Sequence, residues 1–256
     1  MTELGRTERY HIGSDQFVKE YLTDGNVCFW KNDQLLDLEA WNRELNRFQS
    51  MAIKERHSNP LVRWAEQRRR QGFLRTVDAR PGEVVADVGC ESGYMAAALV
   101  ARGCQVICID IDPALLELAR QRIGSDQAEY VVSDIQAIRL PDASVDVAVA
   151  SEILEHLPAP EVGLRELVRI TRPGGRVFLS VPNESLILTI KRVLKALQLT
   201  RFLGPLSEDL AIGHVQVFRK RELMNLCQIN GVTIQRVAYH KPFCLNIFAN
   251  LRRHGQ

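Results

Sequence analysis

Val84 to Tyr94 reads Val-Val-Ala-Asp-Val-Gly-Cys-Glu-Ser-Gly-Tyr. An apolar run from Val84 to Val88, broken only by Asp87, ends at Gly89, and a helix-compatible stretch from Tyr94 to Ala101 begins almost at once. The pattern predicts a buried strand, a tight glycine turn and a helix start. At such a junction, backbone N–H groups and the positive end of a helix can meet a ligand, while an acidic side chain at the strand end supplies a hydrogen-bond acceptor. A dinucleotide fingerprint would need glycines at 89, 91 and 94, but Glu91 and Tyr94 stand at the last two. The NAD reading fails there.

Downstream, a second strand is predicted over Cys104 to Ile109, ending at Asp110, 23 positions after Asp87. That spacing places a carboxylate beside the first turn, where its two oxygens can accept from two hydroxyls. Asp112-Pro113 reads as the cap and first residue of a helix. A third strand, Glu129 to Val132, leads to Ser133-Asp134-Ile135, and a fourth, Val145 to Ala150, runs into Ser151-Glu152-Ile153-Leu154-Glu155-His156-Leu157-Pro158. A helix from Pro160, an Arg172-Pro173-Gly174-Gly175 turn and a fifth strand over Arg176 to Val181 follow. Asp110 could also be a plain strand-end carboxylate, and Asp134 a cap on a short helical turn.

Taken in this order, the pieces from about Gly82 to Asn183 resemble the class I S-adenosylmethionine-dependent methyltransferases, most closely the quinone and small-molecule group. The family's D-x-G-x-G-x-G pattern is matched at Asp87, Gly89 and Gly93, with Glu91 in place of the middle glycine. A side chain there crowds the cofactor's methionine part if the turn needs a positive φ. The resemblance implies an α/β, Rossmann-like, doubly wound and mostly parallel seven-stranded sheet, with S-adenosylmethionine as cofactor and S-adenosylhomocysteine as product. It implies cofactor contacts from Asp87, Gly89, Cys90, Glu91 and Gly93 in the first turn and from Asp110 and Ile111 at the ribose. Asp134 and Ile135 fall at the adenine positions, and Ser151 lies just past the fourth strand.

Composition adds limits. The chain has 256 residues, a formal charge of +2 and 46% hydrophobic residues, which suits an ordinary globular protein and gives no global attraction to nucleic acid or membrane. No apolar run approaches the roughly 18 residues of a spanning helix, and Met1 to His11 carries charges but no signal-like apolar stretch. Six cysteines without a C-x-x-C pair fit a reduced, cytoplasmic protein with no bound metal.

Residues 1–80 hold all three tryptophans and are expected to form an N-terminal helical cap walling the substrate, ahead of a methyltransferase domain over 81–256. Leu38, Trp41, Leu45, Phe48 and Ala52 share one helical face, and Asn59-Pro60 opens another helix. Arg68-Arg69-Arg70 could contact phosphate, although consecutive helical residues point apart.

A helical lid insertion is expected at about 184–212, where Leu186, Ile190, Val193, Leu194 and Leu197 form an apolar stripe opposite Lys191, Arg192 and Lys195. The helix at 186–197 could instead make peripheral membrane contact or simply pack on the core. Beyond it lie a helix over Arg221 to Ile229 and a strand over Val232 to Tyr239. Pro242 and the polar Arg252 to Gln256 suggest that the last strand is short or replaced.

Ala150-Ser151-Glu152-Ile153 is not the Asn/Asp-Pro-Pro-Tyr/Phe tetrad of base and glutamine methylases, and no cysteine follows a proline. A small-molecule or lipid-like acceptor, methylated on oxygen, is therefore expected over nucleic acid. His156 is the candidate general base and His214 the second, each with a plain structural role as the alternative. A non-catalytic cofactor-binding protein, or an RNA-modifying enzyme using Arg68 to Arg70, are the competing readings.

Overall fold

The structure, a computed structural model, describes residues 4–12, 14–23, 27–37, 40–41, 44, 60–183, 185–186, 189, 193, 196, 216–228, 231–239 and 246–255. The chain divides into two compact units, Met1–Ser50 with Ile187–Val215, and Met51–Leu186 with Gln216–Gln256.

In the first unit, β1 (Leu4–Ile12), β2 (Asp15–Leu22), β3 (Val27–Lys31) and β4 (Gln34–Leu36) form an antiparallel meander in sequence order. The β3–β4 turn places Asn32 and Asp33 at φ 47° and 64°, the left-handed pair that a two-residue hairpin requires. Phe17 pairs with Lys31 and Lys19 with Phe29 across the strands. On this face Phe17 and Phe29 pack against Trp41, with ring centroids 5.5 and 5.0 Å apart. Lys31 bridges Asp15 at 3.2 Å and Glu44 at 2.6 Å. The expected helical cap over residues 1–80 is thus corrected at Leu4–Ile12, Asp15–Leu22, Val27–Lys31 and Gln34–Leu36, which are strands. Lys19, fully buried beside Phe17 and Phe29, breaks the apolar alternation by which a strand is recognised. The predicted helix around Leu38 to Ala52 lies largely outside the described residues, as does most of the insertion at 184–212.

The second unit begins with α1 (Pro60–Val77), the helix expected after Asn59. Its sheet comprises β5 (Val84–Val88), β6 (Gln105–Asp110), β7 (Ala128–Val132), β8 (Val145–Ser151), β9 (Thr171–Pro182), β10 (Val232–Tyr239) and β11 (Asn246–Arg253). The strand order is β10-β11-β9-β8-β5-β6-β7. Pairings among β5 to β9 are parallel, and β11 runs antiparallel to both β9 and β10. Helices α2 (Tyr94–Val100), α3 (Pro113–Ile123), α4 (Pro160–Ile170) and α5 (Lys220–Leu226) connect the strands.

Alternation along β5 and β8 separates two cores. Ala86, Val88, Ala148 and Ala150 face one that includes Leu164 and Leu167 of α4; Val85, Val147 and Val149 face another with Phe73, Met95, Leu99 and Phe178. Asp87 falls on the Val85 side by the same period. This is the doubly wound, seven-stranded sheet expected, with the order reversing between β5 and β8.

Two expectations change. The fifth strand does not wait for the Pro-Gly-Gly turn: β9 starts at Thr171, and its register against β8 jumps from Val145↔Thr171 to Val147↔Arg176 as Gly174 takes φ 74°. The last strand is neither short nor replaced. Buried Ile247, Phe248, Ala249 and Leu251 carry β11, and the Arg253 guanidinium donates to the carbonyls of Val168, Arg169 and Thr171 at the end of α4. The arginine that read as a polar tail caps a neighbouring helix.

Candidate functional site

The turn leaving β5 is held from β6. Gly89 and Cys90 N–H groups donate to the Ile109 carbonyl at 2.8 and 3.1 Å, and the Glu91 N–H donates to Asp110 Oδ2 at 2.9 Å. Positions 89, 91 and 93 all adopt positive φ, at 73°, 48° and 72°. At Gly89 a Cβ would come 2.5 Å from Ile153 Cδ1, and at Gly93 one would come 2.7 Å from Ala119 Cβ. At Gly93 the Ala119 backbone also stands in the way, so only glycine fits there; at Gly89 the Ile153 side chain would have to shift. Glu91 takes the left-handed conformation with a side chain, which meets the condition set for crowding.

Asp87 is 3% exposed, and its Oδ2 has no hydrogen-bond partner. Burial, then the charges of Asp110 and Glu91, push its carboxyl up to about 7, with the Ala96 N–H pulling the other way. Asp110 is 8% exposed and is likewise raised by burial, opposed by backbone N–H groups. Its Oδ1 accepts from Asp112 N–H at 3.0 Å while Oδ2 takes Glu91. Both oxygens are thus fastened to the backbone, with the Ile111 N–H as a third donor to the same carboxylate. Asp112 itself caps α3 through the Ala114 N–H, as its sequence predicted. Ile111, 42% exposed, lies between the two aspartates.

At β7, Asp134 accepts from the Gln136 N–H at 2.8 Å and so caps a short 3-10 turn, Ile135–Ala137. This is the capping role raised as its alternative, and it leaves one carboxylate oxygen for a second donor. Ile135 is buried behind it, close to Gly163.

Past β8 the chain turns sharply. Glu152 has φ 57°, its N–H donates to the Ser180 carbonyl at 2.8 Å, and its Oε1 accepts from Asn246 Nδ2 at 2.9 Å. Ser151, Glu152, Ser180 and Asn246 line a pocket with Phe73, Met95 and Phe178. Phe73 and Phe178 meet edge to face at 5.4 Å. Sequence reasoning named Ser151 and missed the others, because Glu152 and Asn246 are 94 residues apart and join only through the antiparallel β11.

His156 ends a 3-10 turn, Leu154–His156, with its N–H on the Ile153 carbonyl. His214 lies outside the described residues. Arg68 lies over the Trp64 ring at 5.5 Å and Arg70 over Tyr94 at 5.3 Å, so these two guanidinium groups face aromatic rings of this chain. Among the described residues no His, Cys, Asp and Glu group could hold a metal ion, and no helix is long and apolar enough to cross a membrane.

The donor set suits an adenosyl cofactor. Asp87 offers an orphaned buried oxygen, Asp110 is a buried carboxylate fastened to the turn, and a Cβ at Gly93 would strike the Ala119 backbone.

Known proteins agree with this geometry. Residues 86–179 match the family described as Methyltransferase domain. The malonyl-[acyl-carrier protein] O-methyltransferase of Serratia marcescens is 36% identical over 102 residues, 40% of this chain and 39% of that protein. The ubiquinone biosynthesis O-methyltransferase of Xanthomonas campestris pv. campestris is 36% identical over 110 residues, 42% and 46% of the two. The chain thus matches less than half the length of these curated relatives.

Among solved structures, the magnesium protoporphyrin IX methyltransferase of Synechocystis with bound S-adenosylhomocysteine superposes with TM-score 0.61 at 18% identity, covering 85% of this chain and all of that one. A SAM-dependent methyltransferase from Aquifex aeolicus gives 0.59 at 16% identity, covering 85% and 99%. Residues 86–179 thus match the Methyltransferase domain family, and the second unit shares the fold of these S-adenosylmethionine-dependent methyltransferase structures.

Proposed function

We propose that this chain transfers a methyl group from S-adenosylmethionine to an oxygen of a small-molecule or lipid-like acceptor. The observation that carries the reading is the turn after β5, where Asp110 at the end of β6 fastens a positive-φ loop at the position for a ribose diol, beside the buried Asp87. When bound, the cofactor supplies a methyl group on a positively charged sulfur, an electrophile that needs no metal. The protein's part is alignment and exclusion of water.

The crevice lined by Phe73, Met95, Phe178, Ser151, Ser180, Glu152 and Asn246 is only about 10 Å³, room for a single water, so it supplies a mixed polar and aromatic wall for an acceptor rather than a formed cavity. Similarity to two O-methyltransferases supports oxygen as the atom methylated. His156 takes the proton released by an acceptor hydroxyl. Asp134 and Ile135 select the adenine, through a carboxylate acceptor and a neighbouring backbone donor.

A release assay for S-adenosylhomocysteine with a panel of phenols and other hydroxyl acceptors tests this. His156→Ala should cost roughly 10²-fold in turnover with cofactor affinity unchanged. Near-normal turnover would remove His156 and leave alignment alone. A second reading, cofactor binding without transfer, is favoured by Glu91 standing where the family has glycine; it predicts binding but no product with any acceptor.

A further inference from the structure

Ser151, Glu152, Ser180 and Asn246 bring four polar side chains to the crevice at the ends of β8, β9 and β11. Glu152 Oε1 accepts from Asn246 Nδ2 at 2.9 Å, which turns the amide nitrogen toward the carboxylate and leaves Asn246 Oδ1 still to be matched. Among the described residues no group donates to that oxygen, and none bonds the hydroxyls of Ser151 and Ser180. Ser180 and Asn246 are each only 7% exposed, and side-chain polar groups at that depth are rarely left without a partner. The backbone carries a second sign: Glu152 sits at φ 57°, a strained conformation of the kind that persists where a site needs it. The crevice, at about 10 Å³, has room for one water-sized group, and Phe73 and Phe178 meet edge to face at its side. It lies beside the donor turn. β8 pairs with β5 as far as Ala150↔Val88, and a Cβ on Gly89 would come within 2.5 Å of Ile153 Cδ1.

Resting on the function proposed above, we propose that Ser180 and Asn246 hold a hydroxyl of the acceptor that is not itself methylated. The amide oxygen requires a hydrogen-bond donor and the serine hydroxyl can give or take, and an acceptor hydroxyl offers both in the volume of one water. An ionised carboxylate in its place has no proton to give, and a hydrogen atom leaves both protein groups unmatched. A hydroxyl enclosed there has no space beside it for an incoming methyl, so the reacting oxygen is its neighbour on the same skeleton. That neighbour bonds the methyl carbon as the carbon–sulfur bond breaks, sulfur keeps the electron pair, and the hydroxyl proton passes to the base. With Phe73 and Phe178 as the adjoining wall, the acceptor class is a dihydroxy aromatic, one oxygen anchored and one methylated. Ser180 and Asn246 are then specificity residues.

Rates of S-adenosylhomocysteine release with catechol, phenol and salicylate, each bare and with an alkyl chain on the ring, test this on wild type and Ser180→Ala. Wild type should favour catechol over the other two by about tenfold or more in kcat/KM, and Ser180→Ala should lose most of that preference through KM. Removing a hydroxyl that no described residue bonds should leave the melting temperature of the variant unchanged or higher, so a folding defect is not expected to intervene. An unchanged preference in Ser180→Ala, with or without a fall in melting temperature, assigns the hydroxyl to packing or to a structural water and overturns the proposal. So does a wild type that binds S-adenosylhomocysteine in calorimetry yet methylates phenol or salicylate as fast as catechol, or none of the three; the cofactor reading survives that result. Failure of wild type to bind S-adenosylhomocysteine overturns both.

Discussion

The turn after β5 and the pocket at the ends of β8, β9 and β11 sit on one sheet, yet they are built by different means. The turn comes from residues 87–110, nearly consecutive in the chain, and works through backbone conformation and two aspartates held by N–H groups. The pocket draws Phe73 from α1, Met95 from α2, Glu152 from beyond β8, Ser180 from β9 and Asn246 from β11, and works through side chains. Recognition by backbone tolerates sequence change, so the donor half is shared with remote relatives. Recognition by side chains does not. The segment matched by the family ends at residue 179, and Phe73, Ser180 and Asn246 all lie outside it. The matched segment therefore holds the whole turn but only part of the pocket lining.

If the turn depends on backbone shape, the largest effect belongs to Gly93→Val. Its Cβ would press on Ala119, including the backbone Cα at 2.9 Å, at a φ of 72°. Destabilisation of roughly 3 kcal/mol or more, visible in thermal melts, and loss of cofactor binding are expected. Retention of both would mean that the loop has room to rearrange.

If the pocket works by side chains alone, Asn246→Ala should raise the acceptor KM about tenfold and leave the cofactor dissociation constant untouched. It also strips a donor from Glu152, at a stability cost of about 1–3 kcal/mol. A matching loss of cofactor affinity would merge the two halves into one site.

The smallest effect concerns charge. With its carboxyl near 7 in the folded state and at an ordinary value when unfolded, Asp87 holds its proton more tightly in the native protein between about pH 4 and 7. Its contribution to stability is full below pH 4 and is lost as pH rises through 7. Asp87→Asn removes that loss, so the ligand-free variant should exceed wild type by about 1–2 kcal/mol at pH 8, with the gap closing at pH 4. A gap independent of pH would show that Asp87 stays ionised.

The same contrast explains what could be read in advance. β5 and β6 are short apolar runs ending in acids, so strand, turn and carboxylate announce themselves within two dozen residues. The N-terminal sheet did not, because Lys19 occupies a buried strand position and the helical spacing around Trp41 drew the reading toward helices. β11 was hidden by an arginine, Arg253, whose partners lie on α4, more than eighty residues earlier. Glu152 gave no signal of its own as a pocket residue, since its bond to Asn246 exists only once β11 is laid against β9.

The central claim is that Asp110 and the glycine turn hold an adenosyl cofactor. Isothermal calorimetry of S-adenosylhomocysteine against wild type and Asp110→Ala tests it most directly. One site on the wild type, weakened roughly tenfold or more in the variant as two hydroxyl bonds to a carboxylate are lost, is the predicted result. No heat with the wild type, or equal affinity in the two proteins, would contradict it.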